Sequence, residues 1–419
     1  MTKAKKSLLG WIICGLAAIS YCYEYLLRIT PSVMVNELME FFQANATEFG
    51  TMSAFFYFTY TPMQMIVGPL SDIYGPRRIL TLAVVICVFG NYLFGISDTL
   101  LLAALGRALI GFGSSFAFVC ILKLADSWLP QRFFALFVGL ATALGMLGAV
   151  FQISIFSSIV THIGWRKIIN LSTIAGLVLM PFIWVIVRDR PKGITEEKTT
   201  VQSRDIFRGL VKILKNPQMW INGIIACILY SSLSLFAELW GMPFLINVHN
   251  LSNNAAASAC SMVYLGWLFG SPVIGYLSDF LGSRKIPIIV GFGLSMLIIV
   301  LVIYLTPTSL PMLRWLLFFF GVFTSAEILC FAISTEINPR YLIATASAFT
   351  NFLTMLSGFI AQPLIGKMLD ILWSGETINN LRIYSGNDYR IAFLILPLIL
   401  AVGLFLSIFL NETKGRGFY

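Results

Sequence analysis

Apolar residues along this chain gather in twelve long runs, and the stretches between them carry most of the charged residues. The runs cover residues 8–37, 48–71, 77–97, 99–124, 133–157, 166–187, 218–245, 257–279, 286–306, 311–335, 342–369 and 391–411. Each approaches or exceeds the roughly 20 apolar residues that carry a helix across a bilayer. None alternates with the two-residue period over about ten residues that a barrel strand would show. The pattern therefore predicts an all-α membrane protein of twelve transmembrane helices. An even number of crossings places both termini on one side.

Composition sharpens this reading. Of the 419 residues, 58% are hydrophobic and only 11% charged, against roughly a quarter charged in soluble domains. A soluble enzyme, a nucleic-acid binder and a disordered scaffold are excluded as first readings. With the N-terminus placed in the cytoplasm, 19 Lys and Arg fall in cytoplasmic segments, 4 on the opposite side and five within spans. That asymmetry is the positive-inside signal. The formal charge of +9 thus reports orientation rather than a nucleic-acid partner, and both termini are expected in the cytoplasm. Lys3, Lys5 and Lys6 resemble the start of a signal peptide, but the apolar run that follows is too long for one. His162 and His249 stand far apart, and the seven cysteines lack metal-site or disulfide spacing. No phosphate-binding loop and no catalytic Ser/His or metal cluster is evident, so no enzyme, metal or cofactor is expected. The tails, Met1–Ser7 and Asn411–Tyr419, are too short for an appended signalling domain.

The chain divides into residues 1–187, a polar linker at 188–216 and residues 217–419. Within the linker, Ile206, Leu210, Ile213 and Leu214 recur at helical spacing against Arg204, Arg208, Lys212 and Lys215. This reads either as an amphipathic helix on the inner leaflet or as a solvated linker with an incidental helix. The halves repeat each other. Gly68-Pro-Leu70-Ser-Asp72-Ile-Tyr-Gly75-Pro-Arg77-Arg78 returns 207 residues later as Gly275-Tyr-Leu277-Ser-Asp279-Phe-Leu-Gly282-Ser-Arg284-Lys285, and Arg107 returns as Arg314. Asp126 and Glu336 close the fourth and tenth runs in similar places. Duplicated halves are common among secondary transporters, whose sites lie between the repeats.

The motif G-x-L-x-D-x-x-G-x-R-[KR], in matching loops of both halves, resembles the signature of the major facilitator superfamily. The resemblance spans nearly the whole chain and implies two pseudo-symmetric six-helix bundles, a monomer, and loops that latch one conformation. The latch candidates are Asp72, Arg77, Arg78, Asp126, Asp279, Arg284 and Glu336. Glu24-Tyr-Leu-Leu-Arg28-Ile-Thr-Pro31-Ser-Val-Met34, with Tyr57-Phe-Thr-Tyr60-Thr-Pro62-Met-Gln64, is similar to the proteobacterial intraphagosomal amino-acid transporters. That likeness implies uptake of amino acids, or in some members nucleosides, across a bacterial inner membrane.

A charge in hydrocarbon costs roughly 2.5–3.5 kcal/mol on insertion scales, so those present usually face a cavity. Glu24 and Arg28 lie in the first run, Arg107 and Lys123 in the fourth, Glu238 in the seventh, and Arg314 and Glu327 in the tenth. The resemblance implies that these four helices line the central cavity. Bland readings stand beside the functional ones. Glu24 and Arg28, four apart, can neutralise each other instead of touching substrate or a proton. Glu327 is either paired across the cavity with Arg107 or Arg28, or a proton carrier. Arg107 could clamp an anion, while Arg314 could be a gate or an anchor. Glu238 reads equally as gate and as substrate contact, and with Glu327 and Glu24 it is a candidate for proton coupling. Lys123 with Asp126 reads as an inner-end pair, and Lys367, in the eleventh run, as a snorkelling residue.

Tyr21, Tyr23, Tyr25, Tyr57, Tyr60, Trp240, Tyr264 and Trp267 could line a pocket, although aromatics are common throughout the chain. Tyr60 and Tyr264 are singled out because they come from equivalent helices. Pro31, Pro62, Pro243 and Pro272 are expected to kink their spans.

The reading these residues favour is proton-coupled uptake of a small zwitterion, an amino acid, by alternating access, with the proton gradient as the energy source. Arg28 or Arg107 would take the carboxylate, and Glu24, Glu327 or Glu238 the ammonium. The partners expected are the solute and the lipid bilayer. Alternatives are a nucleoside or organic-anion carrier, a multidrug or metabolite exporter, and a transport-dead sensor on the same scaffold. The fifth run, Gly139-Leu-Ala-Thr-Ala-Leu-Gly145-Met-Leu-Gly148, lacks the Gly-Pro-x-x-Gly-Gly ending common in drug antiporters, which counts against export.

Overall fold

The computed structural model describes residues 3–191, 203–305, 309–339, 342–378 and 381–413. Among them, eleven helical stretches are long and apolar enough to cross a membrane. In chain order these are Leu8–Val33, Pro76–Ile96, Leu100–Trp128, Leu136–Val160, Trp165–Ile186, Pro217–His249, Asn253–Leu281, Lys285–Tyr304, Leu310–Glu336, Ile343–Leu372 and Gly386–Ile408. The missing crossing is the second, which is two helices, Ala46–Met63 and Val67–Tyr74, separated by a turn just past Pro62. Spans are numbered here one to twelve with that broken helix as the second. The first span also ends earlier than the apolar run: Pro31 sits in a 3-10 turn, Thr30–Val33, and Val35–Phe42 forms a separate short helix.

Helix packing obeys the sequence repeat. Span three packs on spans four and six as span nine packs on ten and twelve, and span two packs on four as eight packs on ten. Across the halves, span two meets span eleven and span five meets span eight. The result is two six-helix bundles related by a pseudo-twofold. Within this frame the linker helix Ser203–Leu214 is tied to the second half, where Ile213 is buried with Met219, Leu342, Ala346 and Phe349. The side chains of Arg204, Ile206 and Arg208 lie outside the described set, as do residues Arg340, Lys414 and Arg416.

The bundles are sealed at the end remote from the chain termini, termed the outer end here. Span two begins there beside the end of span eleven, so close that a Cβ at Gly366 would press into the Ala46 carbonyl. Asp370, at the end of span eleven, accepts from the Thr47 amide at 2.8 Å and from the Thr47 hydroxyl. The Ala46 amide donates to Tyr384 Oη at 3.0 Å. These are first-turn amides of span two, which have no partner within their own helix. Tyr384 and Arg382, from the loop that carries a two-residue hairpin (Thr377–Ile378 with Leu381–Arg382), donate to Asp370 at 2.5 and 3.0 Å. Burial, and then its bond to Asp370, push the Tyr384 phenol above its ordinary pKa, so it remains a donor at physiological pH. Residues 228–245 of span seven are buried without interruption. Toward the other end of span eight, only Gly270, Ile274 and Ser278 are buried, while Phe269, Val273, Tyr276 and Phe280 are exposed.

Candidate functional site

A polar cluster bridges the two halves in the buried middle of the protein. It is built around Arg28, whose side chain is 7% exposed, and Glu238, at 1%. Arg28 Nη1 lies 3.9 Å from Glu238 Oε1 and donates to Tyr230 Oη at 2.9 Å. Tyr230 donates to Glu238 Oε1 at 3.2 Å, and Tyr57 of span two donates to Glu238 Oε2. Four rings surround the guanidinium, with centroids at 4.9 Å (Tyr60), 5.1 Å (Tyr25 and Phe56) and 5.7 Å (Tyr57). A cation over aromatic faces gains about 2 kcal/mol or more when water is excluded. Met355 Sδ, from span eleven, completes the shell at 3.8 Å. Tyr264 meets Tyr25 edge to face at 6.5 Å, and its buried hydroxyl has no hydrogen-bond partner. Chemically this is one fixed cation and one fixed anion inside a box of phenols.

Local backbone explains why these groups meet. Pro31 lacks the N–H that a continuing helix would direct at the Leu27 carbonyl. Arg107 reaches over from span four, donating from Nη1 to Leu27 O at 2.7 Å and from Nη2 to Arg28 O at 2.8 Å. The Arg28 backbone is thereby tied to a second helix. On the opposite side, Ser232–Trp240 is a nine-residue π-helix, and it carries Glu238. Its wider turn alters the register in which side chains leave the axis. Gly358 lets span eleven pass against the Tyr57 ring, which a Cβ there would overlap.

Of the charges singled out by sequence, Arg28 and Glu238 join the cluster with Tyr60 and Tyr264, and the others do not. The i,i+4 pairing of Glu24 with Arg28 is not formed: Arg28 turns to Glu238, and both Glu24 oxygens are buried without a hydrogen-bond partner. Arg107 donates one N–H from each Nη to carbonyls of span one, and its Nε is buried without a hydrogen-bond partner. Glu327 is not paired with Arg107 or Arg28 and accepts instead from Thr354 Oγ1 at 3.4 Å. Arg314 does not repeat the use of Arg107; it donates to Ser258 Oγ at 2.7 and 3.2 Å, joining spans ten and eight. Tyr230 and Met355 escaped the sequence reading. Tyr230 had a signal, because the 207-residue offset pairs it with Tyr23, and the same offset pairs Tyr57 with Tyr264.

The duplicated loops use equal motifs unequally. In the second half Arg284 donates to Asp279 at 2.6 Å and to Glu336 at 2.9 and 3.1 Å. Burial works against the charge, but these bonds outweigh it and hold the guanidinium above its ordinary pKa. In the first half Arg77 lies over Trp184, 4.3 Å from the ring centroid, and donates to the Trp184 carbonyl at 2.7 and 3.0 Å. What the loops share was missed from sequence: an acid at the end of the sixth and twelfth spans accepts the first amide of the third and ninth. Asp189 takes Arg77 N at 2.7 Å, and Glu412 takes Arg284 N at 2.9 Å. Arg78, Lys123 and Asp126 line a cavity of about 500 Å³ beside Arg77 and Asp189. The Asp72 side chain lies outside the described set.

Comparison with known proteins gives the same architecture a family context. The sequence profile of the Major Facilitator Superfamily matches residues 16–362. Among curated proteins, the chain is 23% identical to a probable hexose phosphate transport protein of Chlamydia pneumoniae, over 85% of each chain. It is also 23% identical, over 85% of each chain, to the membrane sensor protein UhpC of Escherichia coli (strain K12). Among solved structures, a bacterial homologue of the human lysosomal transporter Spinster, inward-facing and unoccupied, superposes with a TM-score of 0.79 at 16% identity, covering 98% of both chains.

Proposed function

The chain belongs to the Major Facilitator Superfamily, and from that premise we propose that it is a proton-coupled importer of a small zwitterionic solute, an amino acid. The observation that carries this reading is the Arg28–Glu238 pair, two opposite charges 3.9 Å apart in a buried box of phenols between the bundles. An isolated ion in low dielectric is expensive, whereas a zwitterion presents a carboxylate to Arg28 and an ammonium to Glu238 and keeps the site neutral. Tyr264 Oη, buried and unpartnered, is a further donor or acceptor for the solute. Uptake would use rocking of the bundles about this site, with the outer seal at Thr47 and Asp370 opening in alternation with the other end. The basic loops orient both termini to the cytoplasm of a bacterial inner membrane, and the chain works as a monomer. Glu24 and Glu327 are buried acids inside the spans that, among the described residues, form no ion pair, and they are the places where a coupling proton rides.

The test is uptake of each labelled amino acid into proteoliposomes under an inward proton gradient. Saturable uptake of at least one, lost in Arg28→Gln, is the expected result. No uptake above background across all twenty refutes the substrate assignment. A second reading, a carrier of small organic anions, is favoured by the name of the hexose phosphate relative. It predicts that phosphorylated or dicarboxylate solutes stabilise the protein where amino acids do not. A sensor, the role named for UhpC, would bind solute without moving it.

A further inference from the structure

We propose that Glu238 acts as a resident stand-in for the substrate's anionic group, so that the unloaded protein can pass between its two open states and transport is net rather than obligate exchange. The inference rests on the reading of Arg28 as the substrate-anion anchor, but it concerns the empty protein and is tested without substrate. Three observations carry it. The guanidinium faces a carboxylate of the protein itself, Glu238 Oε1 at 3.9 Å, and shares Tyr230 with it through bonds of 2.9 and 3.2 Å. The carboxylate belongs to the opposite half from the guanidinium, as does Tyr230, so the internal pair spans the interface that must rearrange. Glu238 sits on a π-helical stretch, Ser232–Trp240, a backbone form that frequently marks functional sites.

The physical argument concerns the occluded state between the two openings. A site holding only a cation must pass through it with an uncompensated charge in low dielectric, which blocks empty return and enforces exchange. With Glu238 as internal partner, the empty site is as neutral as the loaded one. An arriving anionic group competes with Glu238 for Arg28 and Tyr230. It thereby frees the carboxylate for the substrate's ammonium and loosens the Tyr57 bond that ties span two to span seven.

The experiment is single-molecule energy transfer on the purified full chain in lipid nanodiscs without substrate. Dyes are placed on cysteines at Glu40 and Asn254, exposed outer-end positions of the two halves, in a cysteine-free background. The unsubstituted pair should show interconversion between short and long outer-end distances. Glu238→Gln should lengthen the dwell times at least tenfold. Arg28→Gln combined with Glu238→Gln, which removes both charges, should restore them to within about threefold. If Glu238→Gln yields no folded protein, Arg28→Gln alone is read the same way, since it leaves the carboxylate uncompensated. Three results overturn the proposal: an empty protein that never opens its outer end, a Glu238→Gln protein that switches as fast as the original, or a double variant as slow as the single. Failure of every amino acid in the uptake assay, with these dwell times as expected, would remove the zwitterion reading and leave this one standing.

Discussion

Replacing Asp370 by Asn should open the outer seal without harming the fold. The Asp370 side chain is 12% exposed, and two of its acceptor bonds cross between the halves, to the amide and the hydroxyl of Thr47. An acceptor that loses its charge turns a bond worth about 1.5–3 kcal/mol into one worth about 0.5–1.5. The first turn of span two also loses a favourable anion, at about 0.3–1 kcal/mol. The two bonds lose about 2–3 kcal/mol and the anion adds to this, so together the closed state loses about 2–4 kcal/mol, a shift of roughly 30- to 900-fold in the ratio of closed to open outer ends. Double electron–electron resonance between spin labels at Glu40 and Asn254 reads this ratio directly. The expected result is a new, longer distance in the Asn variant. Asp388→Asn is the control, since Asp388 caps span twelve through Ser385 at 2.7 and 3.2 Å, within one half, and should leave the distances unchanged. Identical distributions for Asp370→Asn and the unsubstituted protein would refute the assignment of the seal.

Four further outcomes follow from the site. Arg28→Lys keeps the charge but loses the planar fork and its stacking, so solute affinity measured by thermal shift should fall about 10-fold, and Arg28→Gln should lower it at least about 100-fold. Arg107→Gln removes two charged bonds to the break in span one, each worth about 1.5–3 kcal/mol. It should lower the melting temperature while the order of preference among solutes is kept; a changed preference would return Arg107 to the binding site. Glu327→Gln should abolish acceleration of uptake by a proton gradient and leave counterflow at equal pH intact; unaltered gradient dependence would move the proton elsewhere. Glu24→Gln, at a carboxylate whose oxygens meet no donor, should leave solute affinity within about twofold.

Most of the architecture is legible in the chain because lipid enforces it. A span must satisfy its own backbone, so apolar run length alone marks all twelve crossings, eleven of which are long helices among the described residues, and the 207-residue offset anticipates which helices pack on which. The second crossing shows the limit, since its run is apolar throughout and the break follows from Pro62 and the turn after it. At the site, charge in an apolar run was enough to find Arg28 and Glu238, because such residues are costly wherever they lie. Their pairing was not legible. They stand 210 residues apart, and the face on which Glu238 emerges depends on a π-helical register that no local pattern announces. The role of Arg107 was hidden for a related reason: its partners are main-chain carbonyls of another helix, one of them, Leu27 O, deprived of its helical donor by Pro31. Neutral residues such as Met355 carry no signal at all.

The tie between Arg107 and the backbone at Arg28 has a consequence for how the two halves divide their labour. The cation is seated on a braced platform in the first half, while its counter-carboxylate rides a π-helical stretch of the second. A hybrid carrier that joins this N-terminal half to a relative's C-terminal half would keep the grip on an anionic group and take its partner for the cationic one, and with it part of its chemical taste, from the donor.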